Sequence, residues 1–183
     1  FKFANAGQTC TAPDYVLCDE TVHDDLVSSI QKNMSEFFSG GIDAASKDYC
    51  SIANEHHFNR LRGALKQAVS SGAEVVSGGE VSQSGLYLSP AILTGVNYEN
   101  PIMEEEIFGP ILPIIKTKNL GEAIEYINNN EKPLALYLFS NKGSEQNKVL
   151  KNTSSGGMVI NDCVLHHMNP NLPFGGINNS GVG

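Results

Sequence analysis

No stretch of this sequence stays apolar for the ~18 residues that a bilayer-crossing helix needs. Positive charge is also in short supply. Twelve Lys and Arg face 20 Asp and Glu, a formal net charge of −8, which argues against a phosphate backbone or an anionic membrane surface as the main partner. None of the four cysteines, at positions 10, 18, 50 and 163, forms a Cys-x-x-Cys pair, and no His stands at zinc-ligand spacing from any of them. A chain of this size does not need disulfide staples, so reduced thiols in a cytoplasmic compartment are expected. Phosphate-binding signatures are missing too: there is no Gly-Lys-Ser/Thr P-loop and no Gly-x-Gly-x-x-Gly fingerprint. The opening residues FKFANAGQTC lack the apolar core and cleavage pattern of a signal peptide. They also lack an initiator Met, so the chain is expected to begin inside a longer polypeptide.

What is present describes an ordinary globular protein. The 183 residues, 40% of them apolar, suffice for one full domain with a sizeable core. Val16-Leu17-Cys18 predicts a short strand. Val22, Leu26, Ile30, Met34 and Phe37 recur at helical spacing and predict a helix ending before Gly40-Gly41. Phe58, Leu61, Leu65, Ala68 and Val69 mark a second helix, with Asn54 as its N-cap. Glu74 to Val76 and Leu86 to Val96 predict two strands. Ile111 to Lys116 predicts another, in which Pro113 points to an edge or a bulge. From there the order runs strand, helix (Leu120, Ala123, Ile124, Ile127), strand (Leu134 to Ser140), helix (Ser144 to Leu150), strand (Met158 to Ile160). That alternation favours right-handed crossovers and an α/β fold with a mostly parallel twisted sheet flanked by helices.

Two long irregular segments interrupt the scaffold, Tyr98 to Pro110 and Asn161 to Gly183, and loops of that length are more often functional than idle. The second follows a strand end, where α/β folds gather ligands.

Four groups of residues carry possible chemistry. Cys10 sits among small residues, Gly7, Thr9, Thr11 and Ala12, which leave room for a thiolate to attack a carbonyl and for backbone N–H groups to hold the oxyanion. On spacing alone the plainer reading, a small buried residue, is favoured, since no His or Lys nearby in sequence lowers its pKa. Glu104-Glu105-Glu106 could bind a divalent metal, accept hydrogen bonds from a ribose diol, or form a solvated acidic turn. His56-His57 reads as a capping or surface pair and His166-His167 as loop residues facing a pocket; neither fits His-Glu-x-x-His. Leu172 to Gly181, LPFGGINNSG, is either a flexible turn or a substrate-lining loop with Phe174 as its apolar wall.

Taken together and in this order, NAGQTC, EEIFGP, LPFGG and NSG resemble the catalytic domain of aldehyde dehydrogenases, over essentially the whole chain. The APDY after the cysteine and the stretch VINDCVLHHMNPNLPFGG are similar to the class 3 branch. The resemblance implies that Cys10 is the nucleophile, passing through a thiohemiacetal and then a thioester that water cleaves to a carboxylate. It implies that Glu106 holds the nicotinamide ribose of NAD or NADP with Phe108 packing beside it. Asn161, Phe174 and His167 are implied to line the tunnel for the aldehyde substrate. No metal site is implied. The family's general-base Glu, the Asn of its oxyanion hole and its NAD-binding domain all lie upstream of the cysteine. Residues 1–183 are therefore expected to be a nucleophile-bearing catalytic domain, weak or inactive alone, from a parent that is a homo-oligomer. Two other functions remain open at this point: a CoA-acylating dehydrogenase, in which CoA resolves the thioester, and a non-enzymatic binding module.

Overall fold

Val16–Asp19 leave the Cys10 loop as strand β1, and His23–Phe37 follow as helix α1. Leu26, Val27, Ile30 and Met34 form one stripe of α1, packed on a core of Cys18, Ile92, Leu112 and Ile114. The computed structural model describes residues 1–38 and 48–182, so the stop expected at Gly40-Gly41 lies outside the described residues. Helix α2 (Glu55–Ser70) begins where Asn54, in extended backbone, accepts the His57 N–H on its side-chain oxygen at 3.0 Å. One of the orphan donors of the helix start is thereby satisfied, as expected for Asn54. Phe58, Leu61, Leu65 and Ala68, spaced three or four apart, are buried together in a core that also holds Leu88, Leu93, Ile111 and Ile115.

Next come β2 (Glu74–Ser77), β3 (Val81–Ser82), β4 (Tyr87–Leu88), β5 (Ala91–Thr94) and β6 (Ile111–Thr117). The single strand expected over Leu86 to Val96 is broken in two. Ser89 donates its N–H to the Glu80 carbonyl at 2.9 Å and accepts the Glu80 N–H on its hydroxyl, while Pro90 has no N–H to continue a ladder. So β4 pairs antiparallel with β3, whereas β5 pairs antiparallel with β2 and parallel with β6.

The main sheet has the order β1-β6-β5-β2. Pro113 therefore does not mark an edge: it lies in β6, between two strands, opposite Leu93. Its side chain is fully buried, and Leu112, Ile114 and Ile115 around it are buried as well. Burial on both faces outweighs the one ladder donor that a proline removes.

The chain divides into two compact units, Lys2–Lys116 and, with Phe1, Thr117–Gly183. The second contains α3 (Leu120–Asn129), β7 (Ala135–Leu138), α4 (Gly143–Asn152), β8 (Gly157–Ile160) and the one-turn α5 (Leu165–Met168). Asn119 caps α3 by accepting the N–H groups of Gly121 and Glu122 at 2.8 and 3.1 Å. Strands β7 and β8 run parallel, joined through α4, around a core of Ile124, Leu136 and Val149. The expected alternation holds and the class is α/β, although β6 pairs within the four-stranded sheet while β7 and β8 form a two-stranded one.

Candidate active site

Cys10 is exposed, and its thiol is free. The loop before it is built from an unusual backbone: Asn5, Ala6 and Gly7 have φ of 51°, 53° and 72°, three consecutive residues in the left-handed region. Such a conformation costs roughly 1–2 kcal/mol for each residue with a side chain, so its surroundings must hold it. Gln8 does much of this. Its side-chain NH2 donates to the carbonyls of Asn5 (3.1 Å) and Ser51 (3.2 Å), and its oxygen accepts the Ala53 N–H at 2.8 Å. The Asn5 side chain returns a bond to the Gln8 carbonyl at 3.0 Å, and the Ala12 N–H closes a turn across Cys10 onto the Thr9 carbonyl.

Glycine is required at position 7 for a second reason. A Cβ there would collide with the carbonyl of Gly109, and a Cβ on Gly109 would collide with Leu61 of α2. The loop of Cys10 thus packs backbone to backbone on the EEIFGP segment, and that segment packs on α2. The 98–110 stretch is tied down along its length. Buried Asn100 accepts the Ile102 N–H at 3.1 Å and donates to the Ala68 carbonyl at 3.2 Å, and so caps the short 3-10 helix Pro101–Met103. Ile107 is buried in the core, and its backbone is held at both its N–H and its carbonyl. The Asp14 carboxylate accepts its N–H at 3.1 Å, and the Arg60 guanidinium donates to its carbonyl at 2.6 Å and to that of Glu106 at 3.3 Å. Glu106 and Phe108 flank this grip, both exposed, with Phe108 in the left-handed region at φ 44°.

The charges around this hook form one cluster. Lys2, only 4% exposed, places its ammonium 3.7 Å from an Asp14 carboxylate oxygen and 3.5 Å from the Asp14 carbonyl. Burial lowers the Lys2 pKa to about 8, against the pull of the Asp14 and Glu106 charges. Burial likewise raises the Asp14 pKa, opposed by Lys2, the Ile107 N–H and Arg60. The Glu106 carboxyl is pushed up by burial first and by the Asp14 charge second, while Lys2 and Arg60 draw it down. Among the other cysteines, burial pushes the Cys18 and Cys163 thiols up, and Cys50 is exposed.

In the C-terminal unit, Asn161 stands just after β8 at φ 60°. Its side-chain amide accepts the Ser140 N–H at 2.9 Å and donates to the Ser140 carbonyl at 3.2 Å, while its own N–H reaches the Leu138 carbonyl at 2.7 Å. The amide latches the ends of β7 and β8. His167 and Phe174 meet edge to face with ring centroids 4.5 Å apart, and Phe174 is 41% exposed. The other histidine of the pair, His166, is buried behind Phe174, beside Tyr137 and over Gly157. His56 and His57 are exposed in the first turn of α2. Among the described residues, no three His, Cys, Asp or Glu side chains gather as a metal site.

The structure thus joins the Cys10 loop to Glu106 and Phe108 in one unit, and His167 to Phe174 in the other. The sequence pattern does not single out Lys2 or Arg60, because a charged residue beside an apolar stripe reads as a solvated one. Asp14 is visible only as part of the APDY departure, and the clamp of Gln8 only as a letter in NAGQTC.

The model of the aldehyde dehydrogenase family matches residues 1–183, the whole chain. The chain belongs to the aldehyde dehydrogenase family. This aldehyde dehydrogenase chain is 46% identical over 183 residues to the dimeric NADP-preferring aldehyde dehydrogenase of Rattus norvegicus. It is likewise 46% identical over 182 residues to aldehyde dehydrogenase family 3 member A2 of Mus musculus, in agreement with the class 3 likeness of its motifs. These alignments cover 100% of the chain but only 39% and 36% of the length of those relatives. A solved structure described as the substrate-bound state of Staphylococcus aureus AldH superposes with a TM-score of 0.93 at 44% identity, covering 100% of this chain and 39% of that one.

Proposed function

We propose that these residues form the nucleophile-bearing part of an NAD(P)-dependent aldehyde dehydrogenase that oxidises aldehydes to carboxylates. The observation that carries the reading is the junction of the Cys10 loop with the Glu106–Phe108 hook, through Gly7 on Gly109 and Asp14 on the Ile107 N–H. The loop that carries the Cys10 thiol and the segment that carries Glu106 and Phe108 are thereby held together, the arrangement that positioning of two reactants needs.

The residues fit a nicotinamide nucleoside. Glu106 presents an exposed carboxylate that would accept hydrogen bonds from the hydroxyls of a ribose diol, and the exposed Phe108 ring, two residues on, would offer it an apolar flat surface. When bound, the nicotinamide supplies the hydride acceptor for the oxidation. Cys10 attacks the aldehyde carbonyl to give a thiohemiacetal, and small neighbours leave its oxyanion open to backbone N–H groups. The same sulfur then retains the acyl group as a thioester until water releases the carboxylate. His167 and Phe174 supply an aromatic surface for the substrate, and Asn161 holds the strand end from which their segment departs.

The general base and the NAD-binding domain belong, in this reading, to polypeptide outside these residues, in keeping with the 39% share of the rat relative that the chain spans. A missing oxyanion donor costs roughly 10²–10³ in rate and a missing base roughly 10²–10⁴. Residues 1–183 alone should therefore oxidise aldehydes poorly. We assign the protein to the cytoplasm, as a homo-oligomer, with aldehydes as its substrates.

The test, made on the longer polypeptide that this reading calls for, is oxidation of a panel of medium-chain and aromatic aldehydes with NAD and NADP, with Cys10→Ser as control. Carboxylate and reduced nucleotide formed in equal amounts, and lost in the variant, are the expected result. Full activity in Cys10→Ser would remove the nucleophile from the mechanism. Acyl-CoA in place of carboxylate would shift the reading to the CoA-acylating class.

A further inference from the structure

Arg60 lies on α2, two positions after Phe58 and next to Leu61, both of them fully buried. Leu61 meets Gly109 through packing, but Arg60 turns aside from the stripe and spends its guanidinium on two consecutive carbonyls, those of Glu106 and Ile107. A planar fork suits this task, since its two terminal nitrogens reach neighbouring acceptors at once. The carbonyls are those of the residue that faces the ribose in the functional reading and of the residue before Phe108. Along the same side of α2 runs a groove of about 330 Å³, between Asn59, Gly63 and Gln67 on the helix and Pro101, Glu104 and Glu105 on the segment. With open space there, the hook has little side-chain packing to hold it against α2 at Glu104 to Glu106. The guanidinium bonds take over that task.

We propose that Arg60 is a positioning residue for the nicotinamide-ribose site, holding the peptides of Glu106 and Ile107 so that the Glu106 carboxylate and the Phe108 ring keep their orientation. The proposal rests on the functional reading above. The opposite grip comes from Asp14 on the Ile107 N–H, so the Glu106–Ile107 peptide is fastened to the Cys10 loop through its nitrogen and to α2 through its oxygen, the Glu106 carbonyl, while the next peptide is held to α2 through the Ile107 carbonyl. Removing Arg60 frees only the α2 side. The cysteine loop keeps its own supports, the Gln8 bonds and the Gly7 contact. Nucleotide use should therefore suffer more than nucleotide-free chemistry at Cys10.

The experiment compares wild type with Arg60→Met, which loses charge and fork, and Arg60→Lys, which keeps the charge alone. Three quantities are read in the longer polypeptide that the functional reading calls for: KM and kcat for NAD and NADP, hydrolysis of p-nitrophenyl acetate without nucleotide, and amide exchange at Ile107 and Phe108 by mass spectrometry. Misplacement of a positioned group by about 1 Å costs roughly 100-fold. The expected loss in kcat/KM for nucleotide is therefore roughly 10- to 100-fold in Arg60→Met, carried mainly by KM. Ester hydrolysis should fall far less, and exchange at the two amides should quicken. Arg60→Lys should recover part of the nucleotide affinity, and it carries the test if Arg60→Met does not fold. Equal losses in nucleotide use and ester hydrolysis would reduce Arg60 to a general structural role and overturn the proposal. So would an unchanged nucleotide KM with unchanged exchange. A wild type that uses no nicotinamide nucleotide would instead overturn the functional reading itself, and the proposal with it.

Discussion

Replacing Gly7 by Ala should damage this protein far more than one methyl group suggests. The residue sits at φ 72°, and an added Cβ would run into the Gly109 carbonyl, with the Lys2 carbonyl 3.0 Å away on another side. Left-handed backbone costs a residue with a side chain roughly 1–2 kcal/mol, and overpacking a tight contact typically costs a further 1–3 kcal/mol. The two together come to about 2–5 kcal/mol, a large part of the roughly 5–15 kcal/mol by which domains are stable. The obstacles are backbone atoms, so no rotamer change relieves them. Gly63, in the interior of α2, is the internal control: a Cβ there meets nothing within 4 Å. Gly63→Ala should stabilise by about 0.5–1 kcal/mol, because Gly loses more chain entropy than Ala on entering a helix. The same chemical change thus has opposite signs at two positions. Urea unfolding midpoints of the two variants measure this, and acylation of Cys10 by p-nitrophenyl acetate reports whether the loop has moved. If Gly7→Ala unfolds at the wild-type midpoint and acylates normally, the Gly7–Gly109 contact is not what joins the two motifs.

Alkylation by iodoacetamide under native conditions should label Cys10 and Cys50 first and Cys163 and Cys18 later, because burial pushes up the latter two thiols; peptide mapping at successive times gives the order, and early labelling of Cys18 would contradict it. Lys2 has a folded pKa of about 8 against an ordinary 10.5, so between those values the unfolded chain binds more protons and this group makes folding more favourable as pH rises. The gain is on the order of 3 kcal/mol across that window, and Lys2→Met should lack it when the two stability curves are compared from pH 8 to 10.5. Asn161→Ala removes both bonds to Ser140 and places an alanine at φ 60°, so thermal unfolding of the C-terminal unit should fall by about 2–4 kcal/mol. An unchanged transition would leave Asn161 a surface residue without structural work.

Much of the fold was legible because burial follows period. The stripe Phe58, Leu61, Leu65, Ala68 could only be one face of a helix, and the oxygen of Asn54 could only be useful at its start. The alternation after Ile111 was equally readable, as were the positions of Cys10, Glu106 and Phe174 within separated motifs. Pro113 misled because a local rule about ladder donors knows nothing of the strands on either side; β1 and β5 enclose β6 only after the chain has folded. The strand over Leu86 to Val96 misled for a related reason. Its apolar run is continuous, yet Ser89 and Pro90 hand it from β3 to β2 and β6.

The long helices and the family were therefore decided by the sequence itself, since residue type and spacing carry them without reference to distant parts of the chain, whereas the one-turn α5 falls on His166-His167, which read as loop. Which groups hold the Cys10 loop and the Glu106–Phe108 segment in place was decided by tertiary structure alone. Lys2 with Asp14, Arg60 with the Ile107 peptide, Gln8 with Ser51 and Ala53, and Gly7 with Gly109 join residues 12, 47, 43, 45 and 102 positions apart. No local pattern encodes such pairings. Their physical origin is that left-handed turns and buried charges are unfavourable on their own and persist only where folding brings distant partners to satisfy them.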